Sequence, residues 1–144
     1  MKKTIGRREK ISIPAWGLRN VSAKIDTGAY TSSIHCEFAE LREENGVQIL
    51  CFKVLRPAHK KYNGQLICTE HFTQKKVKNS FGDEEVRFMV RAKVSMFGEK
   101  ILTEFTLTDR TKMKNPILLG RKLLRGRYLV DVDGVNLSKK SSKK

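Results

Sequence analysis

From residue 86 to residue 96 apolar and polar side chains alternate. Val86, Phe88, Val90, Ala92, Val94 and Met96 fall on one face, Arg87, Arg91, Lys93 and Ser95 on the other, and Met89 is the exception. A period of two is the signature of a half-buried β-strand. Phe97-Gly98-Glu99-Lys100 turns the chain, and Ile101, Thr103, Phe105 and Leu107 then alternate again. The rest reads in the same idiom. Lys10 to Pro14 is a short strand ended by proline, and Trp16-Gly17-Leu18 is a turn. Val21, Ala23 and Ile25 mark a second strand, and Val47 to Arg56 a strongly apolar one. Leu66 to Phe72 and Lys75 to Val77 are strand pieces before the hairpin-turn signal Asn79-Ser80-Phe81-Gly82-Asp83. Arg127 to Val132 is the last strand, followed by the turn Asp133-Gly134. Cys36 to Glu44 reads equally as a short helix stopped by Asn45-Gly46 or as an irregular connection. Short strands with closely spaced turns predict an all-β barrel or sandwich, with room for one short helix after Gly120.

At 144 residues and 39% hydrophobic content, one domain over residues 1–137 is the simplest division, with residues 138–144 as a basic, disordered tail. No apolar run approaches the roughly 20 residues of a membrane span. The basic N-terminus lacks the apolar stretch of a signal peptide, so a cytoplasmic protein is expected. Cys36, Cys51 and Cys68 are odd in number and widely spaced, which favours reduced thiols over a disulfide framework. Thirty Lys and Arg against fifteen Asp and Glu give a net charge of +15. That excess selects acidic partners such as an acidic polypeptide, nucleic acid or an anionic surface.

Chemistry concentrates at Asp26-Thr27-Gly28, where the strand Val21–Ile25 breaks into a tight loop before the polar run Thr31-Ser32-Ser33. Gly28 permits a left-handed backbone or a close approach, and Thr27 supplies a short hydroxyl for the turn. An Asp-Gly surface turn is the plain alternative. At the other end, Asn115-Pro116-Ile117-Leu118-Leu119-Gly120-Arg121-Lys122-Leu123-Leu124 is an apolar strand ending at a glycine, then a helical turn.

Asp-Thr-Gly-Ala after a strand, with Gly-Arg-x-Leu-Leu later, resembles the retropepsins, the single-domain aspartic peptidases. The ordered set Ile5 to Glu9, Ile25 to His35, Leu107 to Arg110, Pro116 to Leu124 and Tyr128 to Asp131 narrows the resemblance. It is similar to the RimB-like retropepsin family, often labelled ATP-dependent zinc protease, whose genes are often found beside a RimK-type glutamate ligase. The match spans roughly residues 4 to 137. The resemblance implies a small closed acid-protease barrel with Asp26 catalytic. It places Thr27, Gly28, Ala29, Thr31, His35, Asp109, Gly120 and Arg121 in supporting or substrate-binding positions. The glycine of the apolar strand lets it pack closely beside the Asp26 loop.

An aspartic peptidase needs two carboxylates sharing a proton. One Asp-Thr-Gly therefore implies a two-fold homodimer, with the hairpin around Phe81-Gly82-Asp83 as the flap. Asp109 and Asp131 are the acids a single chain offers instead, each also readable as a surface partner of Arg110 or Arg127. Arg121 is a partner for Asp26 or Asp109, a binder of acidic substrate, or a plain surface arginine. No His-Glu-x-x-His or Cys-x-x-Cys is present, and Cys68-x-x-His71 is half a zinc site, so no metal and no cofactor are expected. A P-loop is absent as well. The first expectation is an aspartic-type amide hydrolase acting on an acidic, glutamate-extended polypeptide. The alternatives are a basic barrel binding RNA or ribosome, with Trp16, Tyr62 and Phe81 as stacking residues, and a regulatory partner of a glutamate ligase.

Overall fold

The structure is a computed structural model that describes residues 2–78, 81–109 and 114–138. In chain order the strands are β1 (Lys3–Ile5), β2 (Arg8–Ile13), β3 (Leu18–Ile25), β4 (Ser32–Glu44), β5 (Val47–Val54), β6 (Ile67–Thr69), β7 (Phe72–Lys78), β8 (Glu84–Met96), β9 (Glu99–Thr108), β10 (Ile117–Leu119) and β11 (Tyr128–Val130). A 3₁₀ turn, Pro14–Trp16, joins β2 to β3, and the short helix α1 (Arg121–Leu124) follows β10.

Six strands close a ring in the order β10-β3-β2-β8-β9-β4, with β4 returning to β10. The all-β closed barrel with one short helix agrees with the sequence expectation. β10 runs parallel to β3 and antiparallel to β4, so three residues seal the barrel (Leu118↔Lys24, Leu119↔Ile25, Ile117↔Ile34). β5 and β6 extend from β4, and β7 folds onto β8 as a hairpin arm. The alternating residues fill the barrel: Val21, Ala23, Ile25, Val90, Val94, Phe105 and Leu107 are buried with Ile11, Ile13, Ile34 and Leu119. Apolar area removed from water at roughly 25 cal/mol per Å² is what closes such a ring.

Three sequence readings are corrected. Residues 36–44 are neither helix nor irregular; they are the outer half of β4, paired with β5 through Glu44↔Val47. Asn45 and Gly46 carry positive φ of 53° and 79°, a two-residue hairpin turn rather than a helix stop. Cys51 and Cys68 are disulfide-bonded, because the β5–β6 register sets them directly opposite one another; Cys36 is the free thiol. Trp16 is buried, edge-on to Phe52 at 5.6 Å and tilted against Phe105 at 5.5 Å, and Tyr62 packs partly against the core. Of the three aromatics assigned to nucleic-acid stacking, only Phe81 is exposed.

The fold has a second fastening. β1 pairs in parallel with β11. Beside it the fully buried Glu9 carboxylate accepts the backbone N–H groups of Gly6 (2.7 Å), Leu137 (2.9 Å) and Ser138 (3.0 Å) and the Ser138 hydroxyl (2.7 Å). Ser138, read from sequence as the first residue of the tail, is buried in this clasp; residues 139–144 lie outside the described residues.

Candidate active site

The end of β3 presents Asp26 at the barrel rim. Its backbone N–H donates to Leu119 O at 2.9 Å, which ties the carboxylate's own residue to β10. One carboxylate oxygen, Oδ1, accepts Gly28 N–H at 2.8 Å. Among the described residues the other oxygen has no protein partner. Gly28 is not left-handed; a Cβ there would stand 3.2 Å from Asp26 Oδ1, so the glycine serves the close approach.

The loop is braced from behind by the Gly120 turn. Arg121 N–H donates to Ala29 O at 2.8 Å, Lys122 N–H to Tyr30 O at 2.9 Å, and Gly120 N–H to the Ser32 hydroxyl at 3.1 Å. A Cβ on Gly120 would meet Tyr30 O at 2.8 Å and Ala29 O at 2.9 Å, both backbone. This is the close packing of strand on loop that the sequence reading asked of Gly120. Arg121 reaches neither Asp26 nor Asp109. Its guanidinium donates to Thr27 O at 3.0 Å and lies over the Tyr30 ring at 5.8 Å, so the arginine locks the loop backbone. Thr27 itself is exposed.

Asp26, Ala29 and Thr31 line a groove of about 600 Å³ with Ser32, Ser33, Thr106, Thr108, Asp109 and Leu118. The hairpin arm supplies its other wall through Lys75, Arg87 and Met89. Lys75 and Arg87 stand opposite each other in the β7–β8 register. Arg87 is held by Glu85 through Nε (3.1 Å) and Nη2 (2.9 Å). Met89 departs from the alternation of β8 because it lines this groove; with the hairpin around Phe81-Gly82-Asp83, read as the flap, it is a trace of the arm's role in the sequence. Lys75, Arg87, Thr106 and Thr108 were missed because only the folded register aims them at Asp26.

The other acids separate clearly. Asp109 shares the groove with Asp26. Its Oδ1 lies 3.8 Å from His35 Nδ1, and His35 Nε2 sits 3.1 Å from Glu37 Oε1. His35 is buried beneath the groove, a support for Asp109 rather than part of the wall. Asp131 lies away from the groove; its Oδ1 accepts Asp133 N–H at 2.9 Å in a turn, and Arg127 is turned to Leu123 O.

Zinc ligation does not fit these residues. Cys68 is held in the disulfide, and His71 is exposed beside Glu70. His59 Nδ1 accepts Lys61 N–H at 2.9 Å. The Cys36 thiol donates to Phe38 O, and burial pushes its pKa up to about 11. Among the described residues no three His, Cys, Asp or Glu side chains converge on a metal position.

A six-strand barrel with Asp-Thr-Gly at its rim and a glycine turn threaded behind it defines a retropepsin-like protein. The chain belongs to the RimB-like family, described as retropepsin-like aspartic endopeptidase RimB, whose model matches residues 4–141. It is similar to proteins named "Probable alpha-L-glutamate ligase". Identity is 32% over 131 residues with that of Desulfotalea psychrophila and 31% over 137 residues with that of Parasynechococcus marenigrum. The alignments cover 90% and 92% of this chain but 28% of each relative, so the chain spans little more than a quarter of their length. A Legionella pneumophila protein of unknown function shares the fold, with a TM-score of 0.75, 24% identity, and coverage of 96% of this chain and 99% of that one. No helix among the described residues is long and apolar enough to cross a membrane.

Proposed function

We propose that this protein is an aspartic-type peptidase that hydrolyses amide bonds of an acidic, glutamate-extended polypeptide, using Asp26 in a carboxylate dyad. The observation that carries the reading is the Asp26 carboxylate. It is seated by Gly28 and β10, retains an oxygen unengaged among the described residues, and opens on a groove of about 600 Å³. In the dyad the ionised carboxylate takes a proton from water as the water oxygen attacks the carbonyl carbon. The protonated partner gives its proton to the carbonyl oxygen. The first carboxyl then gives the proton it took from water to the amine nitrogen, the second takes a proton from a diol hydroxyl, and the diol collapses to a carboxylic acid as the C–N bond breaks, restoring the dyad. The residues invoked leave no covalent intermediate.

The second carboxylate is assigned to the Asp26 of a second copy across a two-fold axis, with the exposed Thr27 hydroxyls locking the paired loops. Within one chain Asp109 is the alternative, favoured over Asp131 because it lines the Asp26 groove. Lys75 and Arg87 on the arm, with the net charge of +15, suit a substrate bearing carboxylates. The relatives named "Probable alpha-L-glutamate ligase" support a glutamate-bearing substrate and a functional link to such a ligase.

The test is incubation of wild type and Asp26→Asn with peptides carrying α-linked glutamate tails, read by mass spectrometry. Wild type should cleave and Asp26→Asn should not; retained cleavage in the variant overturns the reading. Solution mass at low micromolar concentration assigns the second acid. A dimer with Asp109→Asn active supports the partner subunit's Asp26. A monomer inactivated by Asp109→Asn assigns Asp109.

A further inference from the structure

Five cations among the described residues pair with a carboxylate. Lys3 pairs with Glu99, Arg42 with Glu40 and Arg87 with Glu85, while Arg91 and Lys122 share Glu104. Four others that have none among the described residues are gathered around one cavity. Arg7, Arg8, Lys24 and Lys114 line a separate pocket of about 290 Å³ with Ile25 and Asn115, and among the described residues no carboxylate lines it. Among the described residues none of the four cations has an ion pair. Arg7 Nη1 donates to Asp133 O at 3.3 Å, a backbone carbonyl.

The arrangement is built into the sheet. Arg8 and Lys24 are register partners across β2 and β3, where like charges directly opposite each other cost stability. Their backbones cannot slip apart. Lys24 is also paired with Leu118, Arg8 O accepts Asn136 N–H at 2.9 Å, and Arg7 O accepts Ile25 N–H at 2.8 Å. Arg8 is only partly exposed and has no counter-charge among the described residues. A fixed, uncompensated cluster of this kind is complementary to several anionic groups at once.

We propose that this pocket is a second hold for an acidic peptide, binding carboxylates of the same chain that the Asp26 groove takes. The pocket's neighbour on β3, Ile25, directly precedes Asp26. A carboxylate chain fits better than nucleic acid because among the described residues no aromatic ring lines the pocket, which leaves bases nothing to stack on. The inference takes its ligand class from the hydrolase reading, but its test reads binding alone.

The probe is a fluorescein-labelled peptide of α-linked glutamates, followed by anisotropy at low salt with the full chain carrying Asp26→Asn. Arg8→Gln with Lys24→Gln should weaken binding about tenfold. Arg19→Gln with Lys93→Gln removes the same charge from exposed positions elsewhere and should weaken it less than about twofold. Lys114→Gln, outside the strands, should cost about threefold and stands in if the double variant fails to fold. Equal losses in the two double variants, or none in either, overturn the proposal. So does an oligonucleotide of equal charge that binds more tightly than the peptide and loses as much in Arg8→Gln/Lys24→Gln. If the proposal fails while wild type still cleaves glutamate tails, the Asp26 reading stands. If wild type cleaves nothing while the pocket binds, only the hydrolase reading falls.

Discussion

Glu9 and Asp26 are two carboxylates on neighbouring strands of one barrel, and they have opposite fates. Glu9 is fully buried and accepts four hydrogen bonds from Gly6, Leu137 and Ser138. Asp26 is half-buried and, among the described residues, accepts one side-chain hydrogen bond, from Gly28. A carboxylate has about four lone-pair sites. Glu9 has spent them on the fold; Asp26 has kept its capacity for something outside it. Saturation separates a structural acid from a chemical one, and sequence alone cannot see it.

The comparison breaks if Asp26→Asn retains activity. On this reading the substitution lowers hydrolysis at least about a thousandfold, roughly 4 kcal/mol of transition-state stabilisation, and shifts the melting temperature by little. Glu9→Ala should do the reverse. It strands buried N–H groups at 1–3 kcal/mol apiece, so a loss of about 3 kcal/mol in denaturant unfolding is expected, with Glu9→Gln milder. Equal stability of Glu9→Ala and wild type would refute the clasp. Gly120→Ala sharpens the contrast because it pushes the Asp26 loop without touching the carboxylate. The added methyl meets two carbonyl oxygens below 3.0 Å, and a cost of about 2 kcal/mol with a clear loss of activity is expected. The smallest effect belongs to Cys36, which burial holds protonated up to about 11 against an ordinary value of 9.0. Its alkylation near pH 8 should be roughly a hundredfold slower than that of a free thiol. The unfolded chain releases this proton first, so the Cys36 contribution to stability falls as pH rises from 9.0 towards 11. Titration of alkylation rate against pH checks the first statement, and denaturant unfolding followed over the same pH range checks the second.

Much of the barrel was legible because burial writes a period of two into β3, β8 and β9. The outer half of β4 was not. Past Cys36 it is exposed on both faces, so no burial pattern marks it, and the Asn45-Gly46 turn was the better guide. The Cys51–Cys68 pairing depends on the register of β5 against β6, which no spacing along the chain encodes. At the site, Asp26, Gly28 and Gly120 could be read because a tight loop and a close backbone approach demand those residue types. Lys75 and Arg87 could not, since a lysine on a hairpin looks the same whether it faces solvent or a groove. Glu9 was silent for a similar reason: its four donors come from opposite ends of the chain.

The parallel pairing of Lys3–Ile5 with Tyr128–Val130 has a mechanical corollary. Tension applied between the two ends of the chain would load these strands in shear, so their hydrogen bonds must rupture together rather than peel one by one. The Glu9 anchors on Leu137 and Ser138 lie in line with that load. A pull on the carboxyl end therefore falls first on these bonds, and through Glu9 on β2 it passes directly into the barrel that carries Asp26.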